Sequence, residues 1–580
     1  MRCCGCGKAK AGKPIEAPLI EEPPQVPQPP PPLPGPTAPP KHGDKKPSAV
    51  PPRQFRVGLG EVFPDFECKT TSGDFMFHKF LDQPEPGWTM LFSHPKDFTP
   101  VCTTEIGACH VLLQEFQQRG VKLIGLSCDS VLHHKEWAKD VLAAAKVDPG
   151  QELGFPLIAD EMRAIAERLG MLDPLEVSDA DHLPMPARAL FLIGPDKTNR
   201  LTILYPATTG RNFAEVLRVI DSLHLTDAHE VGTPANWHPG DPVTLNPSFP
   251  SATAHQMYDK NEERTLPSGK KYMRYVSCPE LKHKAAAGGP LQEEMLEGST
   301  SEFRMKLGAR FPDFDCVTTQ GILRFHKLLE RNGGGWTVLF SWPSDFQPVS
   351  TTEVAAWSDI SNDLRKRGVK LVGLSCDSLQ NHQQWSEDVT AVSGKPGTDI
   401  GFPLIADETR QVAELLGMVG KRAEMRGTVG RTASLTTHLS GVRGLFVIGP
   451  DKTNRLSMLY PETTGYNMNE VLRALDSLRL TQNPIMATPA NWQPGDRVIV
   501  DPKVSPEQAT QKFTGLEIVQ LPSRKQYLRY AQCPSSEPAP LRPAAFHLPE
   551  ETSDLPTMPP HLEMSFPQPS PGGKGLWCTC

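Results

Sequence analysis

Apolar residues along the chain gather in short runs separated by amphipathic stretches. "WTMLFS" (88–93), "VKLIGLS" (121–127) and "FPLIA" (155–159) are continuous apolar runs of strand length, the pattern of strands covered on both faces. Between them, residues 102–119 and "HHKEWAKDVLAAA" (133–145) place apolar positions at helical spacing. "EMRAIAERLG" (161–170) predicts a helix stopped by its glycine. "ALFLIGPD" and "LTILYP" predict a hairpin, and "NFAEVLRVIDSLHL" (212–225) predicts a closing amphipathic helix. Strands alternating with helices indicate an α/β sandwich around a mixed sheet. Residues from about 225 to 279 read as a smaller appended module.

The whole pattern then recurs. "DFTPVCTTE" (97–105) returns as "DFQPVSTTE" (345–353), "GVKLIGLSCDS" as "GVKLVGLSCDS", and "GFPLIADE", "GPDKTNRL" and "TPANW" each occur twice. A period above 200 residues exceeds any solenoid unit, so this is tandem duplication of a domain, over 55–279 and 303–534. Proline is abundant and densest at the two ends of the chain. Residues 1–54, with "PPQVPQPPPPLPGPTAPP", and residues 535–580 are expected to be disordered, polyproline-like tails, and 280–302 a linker.

A net charge of −7 over 580 residues argues for neither nucleic acid nor general membrane attraction. No apolar run is long enough to span a bilayer, and "MRCCGCGKAK" lacks a signal-peptide core, so a cytoplasmic chain is expected. Its 13 cysteines then read as reduced thiols. Cys3, Cys4 and Cys6, beside Lys8, Lys10 and Lys13, fit weak membrane anchoring by acylation, against the plainer reading of an unmodified exposed cluster.

Cys102 follows a strand and a proline-containing turn, in the first turn of the next helix. There the backbone N–H groups and the positive helix end favour a thiolate. Position alone is equally consistent with a small buried residue. The neighbours carry more: Pro95-x-x-x-Thr99-x-x-Cys102 in "HPKDFTPVCTTE" resembles the active-site pattern of the peroxiredoxins, and "TPANW" and "LPSGKKYMRY" resemble their one-cysteine (peroxiredoxin-6-like) branch. The resemblance covers about 225 residues of each copy. It implies two tandem thioredoxin-like domains and a thiol-dependent peroxidase acting on hydrogen peroxide and organic hydroperoxides.

By that resemblance Cys102 is the peroxidatic nucleophile and Thr99 hydrogen-bonds the peroxide. Arg188 holds the thiolate, Pro95 shields it, Glu105 orients the arginine, and His94 matches the histidine before the family's proline. The second copy keeps Pro343, Glu353 and Arg443 but reads Gln347, Ser350 and Trp342 at the other positions, so it is expected to be peroxidase-dead. The loop before Arg443 is also about eight residues longer, since the repeat offset grows from 247 to 255. Neither "DQPEPGWT" nor "RNGGGWT" holds the serine that a lipase-like side activity of this branch would need.

Cys68, Cys128 and Cys278 recur as Cys316, Cys376 and Cys533, which favours structural roles. Cys109, two helical turns from Cys102, is too far for a disulfide without unfolding; Cys278 in "VSCPE" is a weak candidate resolver. With no bound cofactor or metal implied, the expected partners are the peroxide and an external thiol, glutathione or a glutathione-transferring protein. A linker of about 23 residues spans roughly 25–30 Å, enough to join two neighbouring domains, so an internal pseudo-dimer and a homodimer both stand open. The competing reading is a scaffold using both copies as interaction modules.

Overall fold

The computed structural model describes residues 57–178, 182–258, 261–281, 305–421 and 439–534. The two tails, nearly all of the linker, and Cys3, Cys4, Cys6, Cys578 and Cys580 lie outside the described residues.

In the first copy β1 (Trp88–Ser93), buried at every position, leads into α1 (Pro100–Val111) and α2 (Leu113–Gln118). β2 (Val121–Ser127), α3 (Val131–Ala144) and β3 (Leu157–Ala159) follow, and β4 (Arg188–Ile193), β5 (Asn199–Tyr205) and α4 (Phe213–Ala228) complete the body. β1 pairs in parallel with β2 and antiparallel with β4, and β4 and β5 form the expected hairpin. The second copy begins with β6 (Asp315–Thr318) and β7 (Gly321–Arg324) and then repeats the series. It runs through β8 (Trp336–Ser341), α5 (Pro348–Lys366), β9 (Val369–Ser375), α6 (Leu379–Val392), β10 (Leu404–Ala406), β11 (Arg443–Ile448), β12 (Asn454–Tyr460) and α7 (Met468–Leu480).

Two elements differ from the pattern-based expectation. The single helix over 102–119 is two, because at Leu112 the backbone leaves helical geometry (φ −88°, ψ 6°). Only Phe116 is buried in the second piece, whereas the unbroken α5 is anchored by buried Trp357, Ile360 and Leu364 at helical spacing. The helix over 161–170 shrinks to Ala164–Arg168. Arg163 takes a left-handed conformation (φ 59°), and the Asp160 carboxylate accepts from the N–H groups of Ile165 and Ala166, so the helix starts late.

The two copies share one twelve-stranded sheet, in the order β7-β6-β10-β9-β8-β11-β12-β5-β4-β1-β2-β3. The junction is antiparallel, β12 on β5, with Met458 opposite Ile203. The apolar core on each face of the sheet runs through both copies. Contacts across the junction come in reciprocal pairs, as at a two-fold interface. Tyr205 donates to Glu470 (2.6 Å) and Tyr460 to Glu215 (2.8 Å); Arg218 donates to the Gly465 carbonyl and Arg473 to that of Gly210, each at 3.0 Å. Gly210 and Gly465 must be glycine: an added Cβ would lie 2.3 Å from the Pro489 oxygen or 2.7 Å from the Ala235 nitrogen.

Each C-terminal module is a four-stranded sheet, residues 231–276 in the first copy and 486–531 in the second. Each packs across the junction onto the other copy. The Asp140 carboxylate of α3 accepts from the Ser523 N–H, Ser523 Oγ and Tyr527 Oη, and Asp388 of α6 does the same for Ser268 and Tyr272.

Candidate active site

Thr99 is the N-cap of α1 and Pro100 its first residue, where a fixed φ suits the helix and the missing N–H costs nothing. Cys102 therefore sits in the first turn, fully buried, at the end of the helix where the dipole is positive. Glu105, three residues on, lies on the same helix face.

Arg188, the first residue of β4, brings Nη1 to 3.4 Å from Cys102 Sγ and donates from the same nitrogen to Glu105 Oε2 at 2.7 Å. Its Nε donates to the Ala207 carbonyl at 2.9 Å, which fixes the guanidinium plane. A second arginine, absent from the sequence-based site, completes the cluster. Arg211 donates to Glu105 through its backbone N (2.8 Å), Nε (2.9 Å) and Nη2 (2.8 Å), and through Nη1 to the Ala189 carbonyl (2.7 Å). Burial alone would push the Glu105 carboxyl up; Arg188 and Arg211 outweigh it and hold the group at about 2. Two guanidiniums against one carboxylate leave a net positive charge facing the sulfur.

Of the other expected residues, Pro95 is buried beside the site and Thr99 is half-buried. Thr99 Oγ1 donates to the Lys96 carbonyl at 2.7 Å, leaving its oxygen lone pairs to accept from a peroxide O–H. His94 makes no hydrogen bond with Cys102: its Nε2 pairs with Asp97 Oδ1 (2.9 Å), and its buried Nδ1 has no hydrogen-bond partner among the described residues. Asp97 bridges to His134 Nδ1 (2.8 Å). Burial would lower the His134 pKa, but its bond to Asp97 raises it; the same pair of histidines overcomes burial and lowers Asp97. The donor atoms of His94, Asp97 and His134 lie within 4.8 Å of one another, so these are the described residues that could hold a metal. Their close spacings are those of hydrogen bonds, which account for the cluster without an ion.

The second copy also reaches this site. Tyr527 donates to Asp140 (3.2 Å) and its hydroxyl accepts from Thr103 Oγ1 (3.1 Å), one residue past Cys102. The Lys525 ammonium lies 3.2 Å from the ring centroid of Phe98, and the Ala490 N–H donates to Thr104 Oγ1 at 3.0 Å. The strand–helix turn that carries the cysteine is thus held from both sides.

Around Ser350 the frame persists and the chemistry does not. Arg443 Nη2 stands 3.4 Å from Ser350 Oγ, and Nη1 bonds Glu353. Where Arg211 would be stands Tyr466, whose buried hydroxyl has no hydrogen-bond partner among the described residues. With one guanidinium fewer, burial wins and the Glu353 carboxyl is raised. Trp342 replaces His94 and donates to Asp345 at 2.9 Å.

The eight described cysteines are all free. Burial pushes the Cys68 thiol to about 12 and those of Cys316 and Cys376 to about 11, raises Cys278, and raises the fully buried Cys109 well above the ordinary thiol value. These five are poor thiolates. Arg211, Asp97 and His134 were missed by sequence reading. For Arg211 the signal was present: "TTGRN" becomes "TTGYN" in the second copy, the same kind of difference that marked Thr99 and Cys102.

The AhpC/TSA family model matches residues 59–200 and 307–455, and the C-terminal domain of 1-Cys peroxiredoxin matches 222–261 and 480–515. Peroxiredoxin-6 of Gallus gallus is 51% identical over 223 residues, 38% of this chain and 98% of that protein. Peroxiredoxin-6 of Homo sapiens is 50% identical over 222 residues, 38% and 97%. Among solved structures, a cysteine-to-serine mutant of the peroxiredoxin 6 of Arenicola marina is 50% identical, covering 39% of this chain and 99% of that one, with a TM-score of 0.37. A yeast mitochondrial 1-Cys peroxiredoxin is 40% identical over 39% of this chain and 99% of its own, with a TM-score of 0.33.

Proposed function

Since the chain belongs to the AhpC/TSA family, in its one-cysteine peroxiredoxin branch, we propose that it reduces hydrogen peroxide and organic hydroperoxides at Cys102 alone. The observation that carries this reading is the Arg188 guanidinium 3.4 Å from Cys102 Sγ, braced by a Glu105 that Arg211 also holds. The Cys102 thiolate attacks one peroxide oxygen; an S–O bond forms as the O–O bond breaks. The products are a sulfenic acid and, once the leaving oxygen takes a proton, water or an alcohol. Arg188 offers N–H groups to the charge that develops on the breaking bond, and the Thr99 oxygen orients the substrate. Burial raises the thiols of Cys109 and Cys278 and makes both poor resolving thiolates, so an external thiol, glutathione in our reading, returns Cys102 to the reduced form. The intact cluster around Cys102 gives a pure scaffold no advantage.

The reciprocal junction supports a second part of the reading: the two copies pair within one chain, the inactive one standing where a homodimer would have a second subunit. Purified protein given hydrogen peroxide with glutathione or thioredoxin in turn tests the activity; absence of consumption with either would refute it. Light scattering tests the pairing: a mass of 63.8 kDa supports the internal pair, and twice that mass at micromolar concentration refutes it. Cytoplasmic location and acylation of Cys3, Cys4 and Cys6 stand as parts of the same proposal, read from the sequence alone.

A further inference from the structure

We propose that the inactive copy forms one wall of the live copy's substrate cleft, and that Pro484, Met486 and Ala487 on that wall set how well organic hydroperoxides compete with hydrogen peroxide. The proposal rests on the peroxidase reading of Cys102.

A cleft of 1230 Å³ is lined by residues of both copies, Pro95, Thr99 and Arg188 of the Cys102 site among them, and Arg188 stands 3.4 Å from the sulfur. The cleft volume far exceeds what hydrogen peroxide needs. One wall is the first copy's Leu172–Val177 and Pro184–Pro186 hairpin. Leu175 and Val177 there are large apolar side chains left 53% and 43% exposed. The facing wall comes from the second module and carries Pro484, Met486 and Ala487. Charged groups of both signs, Lys96, Glu176, Asp501 and Lys503, also line the cleft, so it shows no bias toward a charged tail. An apolar tail fits, each buried methylene being worth about fourfold in binding.

The dead site shows what the wall looks like when nothing selects for such a substrate. Its pocket is only 220 Å³ and is lined by the first copy's module, with His229, Val231 and Gly232 at the positions equivalent to Pro484, Met486 and Ala487. The wall facing the live site is the more apolar of the two. In a homodimer of identical chains both walls would be the same; tandem fusion allows them to differ, and they do.

The test uses the full chain and two substrates, hydrogen peroxide and cumene hydroperoxide, with one thiol reductant. Ala487→Asp and the more exposed Pro484→Asp place a carboxylate on the inactive copy's wall; Leu175→Asp does so on the opposite wall. In each, kcat/KM for cumene hydroperoxide relative to hydrogen peroxide should fall roughly tenfold, since the apolar tail now faces a charge. Thermal melts accompany each variant, and Pro484→Asp decides if Ala487→Asp does not fold. A ratio within twofold of the unaltered chain in the folded variants of the inactive copy's wall overturns the proposal. So does an equal loss on both substrates. No turnover of hydrogen peroxide by the unaltered chain defeats the peroxidase reading itself, a distinct failure.

Discussion

The sites around Cys102 and Ser350 share a helix start, a proline, a glutamate and an arginine, and differ in how their charges balance. Around Cys102 two guanidiniums face one carboxylate, and the surplus cation stands against the sulfur. Around Ser350 one guanidinium faces one carboxylate, and a neutral hydroxyl takes the place of the sulfur. The second copy differs at the nucleophile and at the second cation together, Ser350 against Cys102 and Tyr466 against Arg211. A buried cation without a counter-charge is expensive, so removing the nucleophile leaves the extra arginine a liability. The same logic links the histidine clusters: Asp97, with two histidines, is lowered, while Asp345, with one, is raised by burial.

The comparison can be broken most forcefully at Arg188. Arg188→Met should lower kcat/KM for hydrogen peroxide by roughly 10²–10³-fold, the loss typical of a donor aimed at developing charge; retention of a tenth of the activity would show the guanidinium to be structural only. Rebuilding the dead site sharpens the point. In a Cys102→Ser background, Ser350→Cys with Gln347→Thr should give weak turnover, and adding Tyr466→Arg should raise it about tenfold or more, by restoring the surplus cation. If the third change adds nothing, the longer loop before Arg443 is the obstacle.

Acid stability separates the two glutamates. A carboxyl held at about 2 instead of 4.5 stabilises the fold fully above pH 4.5, and that contribution is lost as the pH falls toward 2. It amounts to on the order of 3 kcal/mol. Glu105→Gln should flatten the unfolding free energy across that window, followed by urea titration at stepped pH. Glu353, raised instead, contributes in the opposite sense, most at low pH and less as pH rises through its value. The smallest effect is expected at the junction: Tyr527→Phe removes the hydrogen bonds with Asp140 and Thr103 and should cost about 1 kcal/mol in a urea melt.

Much of this was legible in the chain. The apolar runs fixed β1, β2 and β3 because strands covered on both faces admit little else, and the duplication was visible as repeated words. Cys102, Thr99, Glu105 and Arg188 stood out through the resemblance of "HPKDFTPVCTTE" and "MPARALF" to the peroxiredoxin pattern, since a helix start alone left Cys102 open. The helix boundaries near 112 and 163 were not legible, since they turn on how many side chains each stretch buries and on one Asp160 carboxylate capping a turn. His94 was legible only as the histidine before the family's proline, and only the fold shows its bond to Asp97. That each module crosses to the opposite copy was also hidden, because the contacts of Asp140 with Ser523 and Tyr527 join residues more than 380 positions apart.

The central claim is one working thiol per chain, at Cys102. Brief exposure of the reduced full-length protein to one equivalent of hydrogen peroxide in the presence of dimedone, followed by peptide mass mapping, tests it directly. The account predicts a sulfenic acid adduct on Cys102 approaching one per chain, abolished in Cys102→Ser and unaffected by Ser350→Ala. A dominant adduct on another cysteine, or a Cys102–Cys278 disulfide in place of the adduct, would contradict it.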